Sequence, residues 1–234
     1  MINRKISICI PQYGRSDLVM ETLEYPLKDD RINEIILCDD YSKIEDYHKL
    51  IYNIKGLKKI RVVKNIANMY VQHNKRNCIS FSKNEWAIIL DNDNIIDKDF
   101  VDKLFNIENW DKNTIYHPAF ASPHFSYRQF NNQIITKENV SGYCEHPIFV
   151  TLLNTNNYFV NRDEYLRVYQ YDSSVRGADG IYFAYNWLKA GNKIKIVENL
   201  QYFHRVHPGS EFLHERDSNM KLIFKWLENV KQLK

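Results

Sequence analysis

The sequence predicts an α/β fold, a single domain with a mostly parallel central sheet flanked by helices, and three observations carry this. Short apolar runs alternate with amphipathic stretches through the first hundred residues, which is the pattern of strand–helix–strand units. The chain of 234 residues, 44% hydrophobic and 26% charged, is long enough to bury one sizeable core without disulfide staples and too short for two full domains. Acidic residues close two of the apolar runs, and open α/β sheets hold ligands outside the carboxyl ends of their strands.

Ile6-Ser7-Ile8-Cys9-Ile10 reads as the first strand, ended by Pro11. A helix follows with Ser16 as its N-cap, Asp17 in the first turn and Val19, Thr22 and Leu23 toward the core. Glu34-Ile35-Ile36-Leu37-Cys38 is the second strand and stops at Asp39-Asp40. Residues 43–54 read as a helix, Ile60-Arg61-Val62-Val63 as a third strand and residues 69–82 as another helix. Trp86-Ala87-Ile88-Ile89-Leu90 is a buried strand that runs into Asp91-Asn92-Asp93-Asn94. Between about residues 110 and 175 the periodicity weakens into aromatic, Asn-rich sequence, for which irregular connections and one or two strands are expected. Asp179 opens a helix with Ile181, Tyr182, Tyr185 and Leu188 among its core positions and Gly191 marking its end. Lys193-Ile194-Lys195-Ile196-Val197 alternates as a half-buried strand. Met220, Ile223, Phe224, Leu227 and Val230 form the apolar stripe of a last helix.

Charge and cysteine content narrow the function classes. The net charge of +3, from 32 basic residues interleaved with 29 acidic ones, does not describe a nucleic-acid partner, which calls for a clustered basic face. It suits an anionic small substrate. Cys9, Cys38, Cys78 and Cys144 are widely spaced with no CxxC pair, so neither a zinc site nor a disulfide framework is signalled. No apolar run reaches the roughly 18 residues of a membrane span, and Met1 leads into the first strand without a signal-peptide core, so a cytoplasmic protein is expected. Lys221, Lys225, Lys231 and Lys234 beside Trp226 leave peripheral membrane contact open for the last helix, with packing on the core preferred.

Asp91-Asn92-Asp93 is the most informative segment. Two carboxylates one residue apart at a strand end can hold Mg²⁺ or Mn²⁺, which prefer oxygen ligands and often take only one or two from protein. The same segment also describes a loop before a helix that Asp97 starts. The phosphate fingerprint of a dehydrogenase is missing after the first strand, and no Gly-x-x-x-x-Gly-Lys loop occurs anywhere.

The motifs come in a definite order. Pro11-Gln12-Tyr13-Gly14-Arg15 follows strand one, Asp39-Asp40-Tyr41-Ser42 follows strand two, Arg76-Asn77 lies in the next helix, and Asp91-Asn92-Asp93 ends the later strand. This order resembles the nucleotide-binding half of family 2 glycosyltransferases, enzymes of the Rossmann-like GT-A fold, and the likeness spans roughly residues 5–210. Asp179 at a helix start resembles the catalytic carboxylate of that family, and the run from Tyr202 through Arg205 and His207 to Ser210 resembles its Tyr-Arg-x-His segment. Gly14 stands where the family has Asn, Tyr41 where it has Gly, and Ala178 where Glu precedes the Asp.

The resemblance implies a metal-assisted transfer of sugar, with inversion, from a nucleotide-diphosphate donor, UDP-linked by preference, to the hydroxyl of a glycan or lipid-linked glycan. Residues 1–94 are then the donor half, 95–215 the acceptor and catalytic half and 216–234 a terminal helix. Asp39, with Asp40 second, accepts from the base, Pro11 and Tyr13 line it, and Arg15, Arg76 and Arg205 face the nucleotide and its phosphates. Asn92 lies between Asp93, the principal metal ligand, and Asp91, which reaches ribose or metal, while His207 completes the metal shell. Asp179 is the general base. On the residues alone, Asp39 also reads as a turn, Tyr13 as local packing, Arg76 as a solvated helix face and Asp179 as a helix cap. A sugar nucleotidyltransferase and an inactive nucleotide- or glycan-binding module are the competing functions.

Overall fold

A computed structural model describes residues 4–206 and 216–234. Four βα units build the first part: β1 (Ile6–Gln12), α1 (Ser16–Leu23), β2 (Ile32–Asp39), α2 (Ile44–Asn53), β3 (Ile60–Lys64), α3 (Tyr70–Phe81), β4 (Trp86–Ile89) and α4 (Lys98–Phe105). Then come β5 (Thr114–Ser122), β6 (Phe125–Ser126), a 3-10 turn, β7 (Ile134–Ile135), α5 (Val140–Tyr143), α6 (Pro147–Asn154), β8 (Tyr158–Asn161) and α7 (Arg162–Val168). The chain closes with α8 (Asp179–Lys189), β9 (Lys193–Phe203) and α9 (Arg216–Lys231).

One sheet runs through the domain in the order β3-β2-β1-β4-β8-β5-β9-β7, with β6 on β5. The pairs among β3, β2, β1 and β4 are parallel, so the residues that follow β1, β2 and β4 emerge on one edge. Beyond β4 the sheet is mixed. Strand β8 runs antiparallel to β4 with Tyr158 opposite Ile89, which brings the residues just before β8 to the edge where β4 ends. Strand β5 runs antiparallel to β8 and parallel to β9, so β9 also ends on that edge, and Ile95 bridges to Phe203 there. The central strands are Ile- and Val-rich and buried on both faces, as strands between helical layers must be.

Several local expectations change. Strand β1 does not stop at Pro11 but continues to Gln12, and Pro11 pairs with Cys38 of β2. The ring is tolerated because β4 has already ended on its nitrogen side: the last β1–β4 backbone bond runs from Leu90 N to Cys9 O. Ser16 is the first helical residue rather than the cap, and its hydroxyl donates to Asp46 at 2.8 Å. The middle region is far more regular than its composition suggests, because β5 is nine residues long and β8 is inserted at the centre of the sheet. Their burial is supplied by neighbours distant in sequence, which local periodicity does not register.

Helix α9 lays Ile223, Leu227 and Val230 on the core, and Trp226 sits between Tyr182 and Tyr185, with ring centroids 4.6 and 5.2 Å away. Phe224, expected in the apolar stripe, is exposed. Among the described residues no helix is long and apolar enough to cross a membrane. The four cysteines are free and buried, and burial pushes the Cys38 thiol up to about 12, which leaves it unreactive.

Candidate active site at the carboxyl edge of the sheet

The loops after β1 and β2 meet first. Ser42 donates its backbone N–H (3.1 Å) and its hydroxyl (2.5 Å) to the two carboxylate oxygens of Asp39, and the same hydroxyl accepts from Gly14 N at 2.9 Å. Asp39 thus closes a turn and is fully buried. Asp40 is also buried and accepts from Asn65 Nδ2 and Met69 N, both at 2.8 Å. Burial raises the proton affinity of both carboxyls above the usual range. Gly14 (φ 58°) and Tyr41 (φ 64°) both occupy left-handed backbone. Gly takes such backbone without strain, whereas for a tyrosine it is unusual. Tyr13 and Tyr41 are both exposed on this rim.

Asp91 and Asp93 lie where β4 leaves the sheet. Capping of α4 is done by Asp97, which accepts from Phe100 N at 3.0 Å, so the two earlier carboxylates are not needed for that helix. Asp93 pairs with Arg15 at 3.0 Å. Asn92 turns inward: its amide donates to Gln12, its side-chain oxygen accepts from Arg15 at 3.4 Å, and its carbonyl accepts from Thr22 at 3.0 Å. The loop is thus pinned by its middle residue, with the Asp91 side chain partly exposed and that of Asp93 largely buried against Arg15. Asp91 is held by Asn157, which accepts from Asp91 N at 2.8 Å and donates to its carboxylate at 2.9 Å.

Asp179 arrives from the opposite part of the chain. Its carboxylate accepts from Lys75 Nζ at 2.8 Å and Asn156 Nδ2 at 3.2 Å, and the same Lys75 lies 3.9 Å from Asp91. Asp179 does not cap α8. Asn154 does so instead, its side-chain oxygen accepting from Ile181 N at 3.2 Å. Gly180 makes this junction possible, since a Cβ there would lie 2.4 Å from the carbonyl oxygen of Asn154. Arg76, one residue beyond Lys75, is exposed and touches none of these carboxylates. Arg205 is close by, its N–H donating to Asn94 at 3.1 Å, but its guanidinium pairs with Glu21. His207 lies outside the described residues.

Lys75, Asn154, Asn156 and Asn157 escaped the sequence reading. Lys75 had a signal, an odd lysine among the buried positions of α3, whereas the asparagines had none, since only the pairing of β8 brings them to the edge.

Two carboxylates one residue apart, Asp91 partly open and Asp93 buried beside Arg15, fit a divalent cation that draws its remaining ligands from a diphosphate. Among the described residues no three His, Cys, Asp or Glu side chains gather into a metal cage. His204 is half-buried in the field of Asp91 and Asp93; desolvation lowers its proton affinity, and its Nδ1 has no protein partner among the described residues.

Solved structures share this fold. Crystal structures of S. aureus TarS 1–349 in complex with UDP-GlcNAc and with UDP match with TM-scores of 0.70 and 0.68, at 15% and 13% identity over 95% and 98% of this chain. A longer S. aureus TarS structure matches at 0.66 with 16% identity over 94% of this chain. The chain spans 66% of the first two and 39% of the longer one. No curated protein sequence matches the chain. Residues 7–162 match the model of Glycosyl transferase family 2, well over half of the length, and the chain belongs to that family.

Proposed function

We propose that the protein is an inverting, metal-assisted glycosyltransferase that moves a sugar from a UDP-linked donor to the hydroxyl of a glycan or lipid-linked glycan, with Asp179 as general base. One observation carries the reading: Asp91 of the β4 edge and Asp179 of the α8 start, 88 positions apart in sequence (179 minus 91), face one lysine at 3.9 and 2.8 Å. A transferred sugar has to lie between the group that holds its diphosphate and the group that takes the acceptor proton. The fold neighbours that hold UDP and UDP-GlcNAc support a uridine donor.

In this reading residues 1–94 bind the donor, 95–215 the acceptor, and 216–234 buttress α8. Tyr13 and Tyr41 flank the base at the exposed rim. Asp93 and Asp91 would hold Mn²⁺ or Mg²⁺, which when bound offsets the charge developing on the departing diphosphate. Arg15 moves from Asp93 toward a phosphate oxygen, a guanidinium being suited to both. Asp179 accepts the proton of the acceptor hydroxyl as that oxygen attacks the anomeric carbon from the face opposite the leaving group. One carboxylate suffices, because direct displacement needs no covalent nucleophile.

Incubation with a panel of UDP- and other nucleotide-linked sugars plus Mn²⁺ tests the proposal through released nucleoside diphosphate. Metal-dependent release from one donor is expected. Binding without turnover of any donor would leave a binding module, and pyrophosphate-dependent formation of nucleoside triphosphate would point to a nucleotidyltransferase.

A further inference from the structure

We infer that Lys75 is the positioning residue for Asp179, holding one carboxylate oxygen so that the other faces the acceptor. The inference rests on the proposed role of Asp179 as base. Lys75 Nζ and Asn156 Nδ2 both donate to Oδ2 of Asp179, at 2.8 and 3.2 Å, whereas Oδ1 receives no hydrogen bond from the described residues. A lysine that merely tied α3 to α8 would be served by either oxygen. Here two donors from separate segments converge on one, so rotating the carboxylate means giving up both bonds. The remaining oxygen keeps a lone pair for the acceptor proton.

Helix α3, which carries Lys75, is itself fixed. Asn74 of the same helix donates to Cys38 O at 2.9 Å, and Gln72 donates to Val175 O, so α3 is clamped both to the end of β2 and to the segment leading into Asp179. The Lys75 side chain is 5% exposed. A buried ammonium is costly unless paired, and Lys75 sits between Asp179 and Asp91, one cation held by carboxylates from both parts of the site. The same ammonium therefore lies between the two carboxylates.

The test uses Lys75→Met, which keeps the stem and removes the charge, beside Asp179→Asn and the parent. Turnover is read as UDP released from the UDP-sugar that the parent uses fastest, in Mn²⁺. Lys75→Met is expected to lose about 10²-fold in kcat, the scale of a misplaced reacting group, with the donor KM within about threefold, since the interaction is made toward the transition state. Lys75→Ala should regain part of that rate with ethylammonium in the buffer and none with tetramethylammonium at equal ionic strength. A Lys75→Met that fails to fold is replaced by Lys75→Leu, which likewise removes the donor and is held to the same kcat loss. Parental kcat in the lysine variant together with an inactive Asp179→Asn would overturn the role of Lys75 alone. Parental kcat in Asp179→Asn would overturn the base and this inference with it.

Discussion

The two sides of the sheet deliver their residues to the site by different routes. On the parallel side, β1, β2 and β4 point the same way, so the first residues after each strand reach the ligand edge directly. On the mixed side, Asn156 and Asn157 reach it from the start of an antiparallel strand, and Asp179 comes from a helix N-terminus that is capped by Asn154 and packed against it at Gly180. The parallel side is a set of loops whose function follows from strand direction. The mixed side is an assembly in which no single segment suffices, and Lys75 is the parallel side's contribution to it.

If the mixed side carries the chemistry, the largest effect belongs to Asp179→Asn. Asn preserves the size, and because Asn154 caps the helix, no cap is lost. Asp91 remains beside Lys75 as an alternative partner. Turnover should fall by about 10²–10⁴-fold, the usual general-base contribution, while UDP affinity by calorimetry stays near that of the parent. A product that retains the anomeric configuration of the donor, read by proton NMR, would refute direct displacement.

On the parallel side Asp93→Ala should act on binding. The extra thermal stabilisation that Mn²⁺ adds to UDP should vanish, since a ligand that binds only the native state raises its stability. The expected loss in Mn²⁺-dependent affinity is at least about tenfold, given that even outer-shell partners of a metal cost about 10–100-fold. Equal affinities would remove the metal role from Asp93. Together the two variants break the comparison if each affects the other's quantity.

Tyr41→Gly gives the smallest effect. Tyr41 is exposed at φ 64°, and left-handed backbone costs a non-glycine residue about 1–2 kcal/mol. Glycine gives back about 0.4–1 kcal/mol through the entropy of the unfolded chain, so urea unfolding should show a gain of up to about 1.6 kcal/mol. A loss of stability would mean that the tyrosine packs in a way its exposure does not indicate. Reduced UDP affinity in the same variant would assign Tyr41 to the base.

The carboxyl-terminal reading was clear for Asp179 and for Gly191, whose φ of 85° ends α8, because helix ends carry local signals. The reading failed for Ser16, whose hydroxyl serves Asp46 of another helix, and it missed Lys75, which faces inward beside the exposed Arg76. A shift of one position on a helix turns a side chain by about 100°, and a pattern as mixed as that of α3 does not set its rotation to that accuracy.

By itself the sequence determined the α/β class, the order of βα units through β4 and the acidic strand ends, because alternation, apolar runs and strand termini are local properties of the chain. It also determined which motifs occur and in what order, and hence the family. Tertiary structure alone decided that β8 enters the sheet antiparallel beside β4, that Asn157 steadies Asp91, that Asp39 closes a turn, and that Lys75 meets Asp179. These outcomes depend on pairings between residues tens of positions apart, where burial and register are set by the partner and are not encoded in either segment separately.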